Sequence, residues 1–119
     1  MLIKKFSNQQ EIIAGDNCIL RELLNFNVDK VESRYSLAWA KVQVGLKTAP
    51  HAMKTTEVYC IIKGQGIMHI GDESAEVGLY DTIYIPPNSI QYIENIGNED
   101  LEFFCIVDPA WKKEDEIIL

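Results

Sequence analysis

The chain has 119 residues, of which 47% are hydrophobic and 24% are charged, and its formal net charge is −7. This length and composition predict one folded domain with a core of its own. Lys and Arg are scattered without a basic stripe, so a nucleic-acid backbone would be repelled and a nucleic-acid partner is excluded.

Cysteine usage and hydropathy suggest where the protein works. Cys18, Cys60 and Cys105 form no C-x-x-C pair, which favours reduced thiols packed in the fold. We find no apolar stretch long enough to cross a bilayer and no cleavage signal at the N-terminus. We therefore expect a cytoplasmic protein without a membrane partner.

The sequence divides into three segments with different predicted secondary structure. Residues 1–33 are predicted to be an N-terminal extension, with helix expected at most in "NQQEII". Over residues 34–108, short runs rich in Val, Ile, Tyr and Phe alternate with Gly, Pro, Asn and Asp clusters, which predicts antiparallel strands joined by turns such as "KGQG" and "GDES". Residues 109–119 form a charged tail in which Pro109 could open a short helix. The pattern predicts a single all-β domain, a sandwich or small barrel, on which the N-terminal extension packs.

Strand alternation places polar side chains on inward faces. In "EVYCII", Glu57 and Tyr59 share a face with Ile61, and in "IQYIEN", Gln91 shares a face with Ile93. Burying a carboxylate and an amide is costly unless each has a hydrogen-bond or metal partner. Such groups inside a barrel are typical of a ligand site.

Two spaced sets of residues stand out, Gly45, His51, Met53, Glu57 and Gly64 in the first and Pro86, Pro87, Asn88, Gln91 and Asn95 in the second. In these spacings residues 34–108 resemble the cupin superfamily, and "IVDPAWKKEDE" is similar to the last segment of small single-domain prokaryotic cupins of the cupin 2 type. The resemblance implies a cupin barrel, that is a jelly roll or double-stranded β-helix, with a metal site inside it and often a homodimer. Two of the four ligand positions in the family's motifs are altered here, because Met53 and Gln91 stand where histidines are expected.

Transferred residue by residue, the resemblance gives His51, Glu57 and Gln91 as metal ligands. The cofactor would be a divalent ion of manganese, iron, nickel, copper or zinc. An amide oxygen is a weaker donor than imidazole, so the ion would be held weakly. Met53 is interpreted as an apolar filler rather than a ligand, and His69 as a surface or interface residue.

Two functions follow from these residues. In the first, a weakly held metal binds a small oxygen-rich molecule, such as a sugar or a hydroxy or keto acid. Glu57 and Tyr59 would then act as catalytic residues that move a proton, as in an isomerase. In the second, a metal-free barrel binds a small ligand without catalysis, as a sensor or carrier would. Both hypotheses include a homodimer, since the sheet edges of a small barrel need cover.

Overall fold

A computed structural model describes the whole chain, residues 1–119, and it consists of strands and turns. Two short 3₁₀ turns lie near the ends, at Phe6–Asn8 and Lys113–Asp115. No helix is long and apolar enough to span a membrane. The eleven strands are β1 (Ile12–Ile13), β2 (Ile19–Leu24), β3 (Ser36–Val42), β4 (His51–Met53), β5 (Thr56–Lys63), β6 (Gly66–Ile70), β7 (Glu73–Val77), β8 (Thr82–Ile85), β9 (Gln91–Asn95), β10 (Leu101–Asp108) and β11 (Glu116–Ile118).

The strands form two antiparallel sheets that face each other. One has six strands in the order β1-β2-β3-β10-β5-β8, and the other has five in the order β11-β4-β9-β6-β7. The chain repeatedly crosses from one sheet to the other, which is the jelly-roll arrangement. The prediction of an all-β jelly-roll barrel is confirmed.

The core between the sheets follows the predicted alternation. Along β5, Glu57, Tyr59 and Ile61 are buried while the residues between them are partly exposed. On β9 the buried residues are Gln91, Ile93 and Asn95. Both inward faces agree with the sequence prediction, so a period of two correctly selected the side chains that enter the barrel.

The sequence interpretation was wrong at the ends of the chain. The "NQQEII" segment contains strand β1, and the charged tail folds back as β11, which pairs along β4 with Ile118 opposite His51. Strand β2 lies within residues 1–33 and pairs with β3, so this extension enlarges the six-stranded sheet. Tertiary pairing therefore overrode weak local patterns at both ends.

One predicted hairpin was also wrong. The "KGQG" turn joins β5 to β6, but these strands belong to different sheets, so the turn is a crossover. Gly64 within it has φ +85°, and a Cβ there would lie 2.7 Å from the backbone oxygen of Asp100. Only glycine fits this close approach without strain. The "GDES" turn does join a paired hairpin, β6 to β7.

Candidate functional site

A cavity of about 240 Å³ lies on the inner face of the six-stranded sheet and is also lined by His51 of β4 and Glu116 of β11. Two exposed residues of β1, Ile12 and Ile13, line it and place its mouth beside this short edge strand. Most of the wall is apolar, with contributions from Leu20, Ala38, Ala40, Phe103 and Val107. Its polar residues include Asp16, His51, Glu57, Tyr59 and Glu116.

His51 stands on β4 and is only 2% exposed. Its Nδ1 lies 2.8 Å from the carbonyl oxygen of Ala49. Because a carbonyl only accepts hydrogen bonds, Nδ1 carries a hydrogen and donates it, so that in the neutral form of the ring the lone pair is on Nε2. The Nε2 atom is 3.7 Å from Oδ2 of Asp16, beyond hydrogen-bond distance. The ring thus presents an acceptor atom to the cavity.

Glu57, Gln91 and Tyr59 form a buried chain of hydrogen bonds between the two sheets. The Tyr59 hydroxyl donates to Oε1 of Gln91 at 3.1 Å, and Nε2 of Gln91 donates to Oε1 of Glu57 at 3.1 Å. The second carboxyl oxygen of Glu57, Oε2, has no hydrogen-bond partner, although the residue is only 7% exposed. The amide therefore orients Glu57 and leaves one of its oxygens for the cavity.

Burial raises the pKa of Glu57 to about 8. The hydrogen bond from Gln91 opposes this rise, while the nearby carboxylates of Asp16 and Glu116 add to it. Burial also raises the pKa of Tyr59 well above its ordinary value. At neutral pH Glu57 consequently holds a proton in most molecules, and Tyr59 acts as a neutral hydrogen-bond donor.

Two site residues escaped the sequence prediction because they lie outside the predicted barrel. Asp16 lies in the loop before β2 and accepts a hydrogen bond from the backbone N–H of Cys18 at 3.2 Å through Oδ1. Glu116 begins β11, and burial raises its pKa while the nearby His51 lowers it. The only signals were the turn sequence "AGDN" and the strand-like "EII" of the tail, and neither suggested a ligand site.

The predicted metal ligands come close together but do not form a coordination sphere. His51 and Gln91 are opposite each other in the pairing of β4 with β9. Gln91 is fully buried behind the cavity wall, and both ends of its amide are bonded to Tyr59 and Glu57. No three His, Cys, Asp or Glu side chains of the chain converge closely enough to hold a metal ion. As arranged, these donors do not fit a metal.

The other motif positions and His69 have structural surroundings. Met53 is buried on β4 and does not line the cavity. His69 lies outside the cavity, partly exposed, with Nε2 2.8 Å from Oε2 of Glu94 and its ring stacked on Tyr92. Neither residue adds a group to the polar end of the cavity.

Comparison with known proteins identifies the family. The family model described as "Cupin domain" matches residues 38–107. The chain therefore belongs to the cupin family.

A relative and two solved structures extend this result. The uncharacterized protein MJ1618 of Methanocaldococcus jannaschii is 45% identical over 108 residues, which cover 90% of this chain and 86% of the relative. The plu4264 protein of Photorhabdus luminescens superposes with a TM-score of 0.75 at 25% identity, covering 97% of this chain and 89% of that one. A protein of Thermotoga maritima described as a predicted oxalate decarboxylase gives a TM-score of 0.78 at 20% identity, with coverages of 91% and 99%. The last similarity shows a shared fold.

Proposed function

We propose that this cupin binds a small organic molecule in the cavity between β1 and β4. The observation that carries the proposal is a space of about 240 Å³ that collects polar atoms without partners, Nε2 of His51 and Oε2 of Glu57. A cavity of about 150 Å³ is sufficient for benzene. The ligand is therefore a monocyclic or similarly small molecule, with an apolar body on the wall and a polar head at β4.

A second candidate is an enzyme in which Glu57 transfers a proton to or from such a molecule, as in an isomerase. The raised pKa of Glu57, about 8, supports it, because an acid that titrates near neutral pH can both donate and accept a proton. Tyr59 would take part by holding Gln91, and through it Glu57, in place. Conversion of a bound ligand that is lost in Glu57→Gln while binding persists would favour the enzyme over the carrier or sensor.

Ligand binding can be tested with a library of monocyclic fragments and ¹⁵N-labelled protein. We expect hits that shift the amide signals of β3, β5 and β10 and that raise the melting temperature. In Ala38→Leu, a larger side chain fills part of the cavity, so the hits should be lost. The same substitution on the exposed strand β7, Ala75→Leu, should keep them. A library without a single hit at these strands would contradict the proposal.

The divalent-metal site of His51, Glu57 and Gln91, and with it an oxygen-rich ligand, stays a prediction. Elemental analysis of protein purified without chelator decides it, with His51→Ala as the comparison. Because both ends of the Gln91 amide are already bonded, we expect well under one equivalent of metal in either protein. One equivalent that is lost in His51→Ala would establish a metal site that requires rearrangement of Gln91.

We also propose a cytoplasmic homodimer. The edge strands β1 and β8 have no neighbour on one side, and exposed apolar residues such as Ile13 and Tyr84 lie on them. Unpaired edges and apolar surface of this kind are commonly covered by a second copy. Sedimentation equilibrium at micromolar concentration should give twice the chain mass of 13.6 kDa, and a monomer would refute this proposal.

A further inference from the structure

The free polar atoms at the β4 end of the cavity share one property, which is that they accept hydrogen bonds. Nε2 of His51 is an acceptor because Nδ1 donates to Ala49, and Oδ2 of Asp16 faces it at 3.7 Å. Oε2 of Glu57 retains acceptor capacity whether or not the carboxyl is protonated. The hydroxyl of Tyr59 already donates to Gln91. A ligand head that brings several donors can therefore satisfy all of these atoms.

The charge of the cavity lining distinguishes between anionic and cationic ligand groups. The residues that line the cavity include the acidic Asp16, Glu22, Glu57 and Glu116, and none of them is Lys or Arg. A carboxylate or dicarboxylate ligand would meet like charges in a poorly solvated space without a counter-ion. A positively charged head would instead favour the ionised form of Glu57 and form charge-assisted hydrogen bonds with it and with Asp16.

From these observations we infer that the ligand is a small primary amine, bound as its ammonium ion, with an apolar body of about the size of a phenyl ring. An ammonium has three N–H donors, and the lining offers acceptor atoms on His51, Glu57 and Asp16 for them. The apolar body lies on the wall formed by residues such as Ala38, Ala40 and Phe103. This inference rests on the proposed function, because it specifies the ligand of the same cavity.

Three probes with one body and different heads test the inference: benzylamine, benzyl alcohol and benzoate. Each is titrated into chelator-treated protein by calorimetry, and binding is located by amide shifts. We expect benzylamine to bind about tenfold or more tightly than benzyl alcohol, because its hydrogen bonds join charged partners. Benzoate should bind more weakly than both.

Variants of single carboxyl groups identify the partners of the ammonium. Glu57→Gln and Asp16→Asn should each weaken benzylamine binding about tenfold and change benzyl alcohol binding by less than about threefold. Glu76→Gln, the same change on the exposed strand β7, should leave both affinities unchanged. Amide spectra confirm that each variant is folded.

The outcomes separate the inference from the proposed function. If benzyl alcohol or benzoate binds at the cavity as tightly as benzylamine, the inference is overturned and the cavity remains a ligand site. Equal losses of amine and alcohol binding in the two variants would also overturn it. If none of the probes shifts the cavity amides, the inference fails together with the cavity as a site for ligands of this size.

Discussion

The buried carboxyl of Glu57 should make the stability of the protein fall as pH rises. Burial favours its protonated form and raises the pKa from 4.5 to about 8. In the unfolded chain the group ionises near 4.5, so its stabilising contribution is complete below that pH, decreases through neutral pH and is lost above about 8. At about 1.4 kcal/mol for each tenfold change in proton affinity, the loss in the free energy of unfolding is on the order of 5 kcal/mol.

The substitution Glu57→Gln isolates this effect, because an amide of similar shape does not ionise. Urea unfolding of both proteins with EDTA, from pH 5 to pH 9, gives the free energy of unfolding at each pH. We expect the advantage of the wild type over the variant to shrink by several kcal/mol across this range, and Glu76→Gln to follow the wild type.

A direct measurement accompanies the unfolding curves. In ¹³C-labelled protein the side-chain carboxyl signal of Glu57 should titrate near pH 8. Parallel stability curves for the wild type and Glu57→Gln, together with a titration near pH 4.5, would refute the reasoning. They would mean that water solvates Glu57 and that the β4 end of the cavity is not a poorly solvated site.

Three further predictions concern the parts that hold the site. Tyr59→Phe leaves Oε1 of the fully buried Gln91 without its donor and should lower the unfolding free energy by about 1–3 kcal/mol, whereas Tyr84→Phe on an exposed ring should change it by less than about 0.5 kcal/mol in the same urea assay. Gly64→Ala should lower the free energy of unfolding by about 3 kcal/mol or more, because the residue has φ +85° and a Cβ would lie 2.7 Å from the backbone oxygen of Asp100. Gly45→Ala should lower it by only about 1 kcal/mol, because φ is +78° but the space around the Cβ is open. Equal losses would contradict the steric argument. Deletion of residues 116–119 removes β11, the only strand that pairs along all of β4. The backbone amide of Ala52 should then exchange its hydrogen faster, while the amides of β6 should keep their protection. Continued protection of Ala52 would show that β11 does not hold β4 in place.

The barrel itself was predictable from the sequence because strands such as β5, β9 and β10 alternate between buried and more exposed residues. Glu57 and Tyr59 could be placed inward from a period of two, and the resemblance to the cupin motifs grouped His51 with Glu57 and Gln91. The prolines at 86 and 87 correctly ended a strand, since β8 stops at Ile85. In these places local pattern and tertiary structure require the same conformation.

The polar end of the cavity could not be predicted, because it is completed by long-range contacts. Asp16 reaches it through a loop held by the pairing of β2 with β3, and Glu116 through the pairing of β11 with β4. Neither strand has a strong local signature. A hydrogen-bond network is equally invisible to a sequence pattern, so the engagement of both ends of the Gln91 amide required coordinates.

Met53 and Gln91 supply no free donor or acceptor to the cavity, while Asp16 and Glu116 from the two ends of the chain supply carboxyl groups to its lining. Met53 brings no hydrogen-bonding group to the cavity, and Gln91 uses its amide on Tyr59 and Glu57. His51 and Glu57 are then the two motif residues with an atom free for a ligand, and Asp16 adds a further acceptor opposite His51. Neither Met53 nor Gln91 brings an imidazole to the cavity, whose lining includes four acidic residues and no Lys or Arg. The inferred amine would supply the positive charge and the hydrogen-bond donors that this lining lacks, whichever of the proposed roles the protein serves.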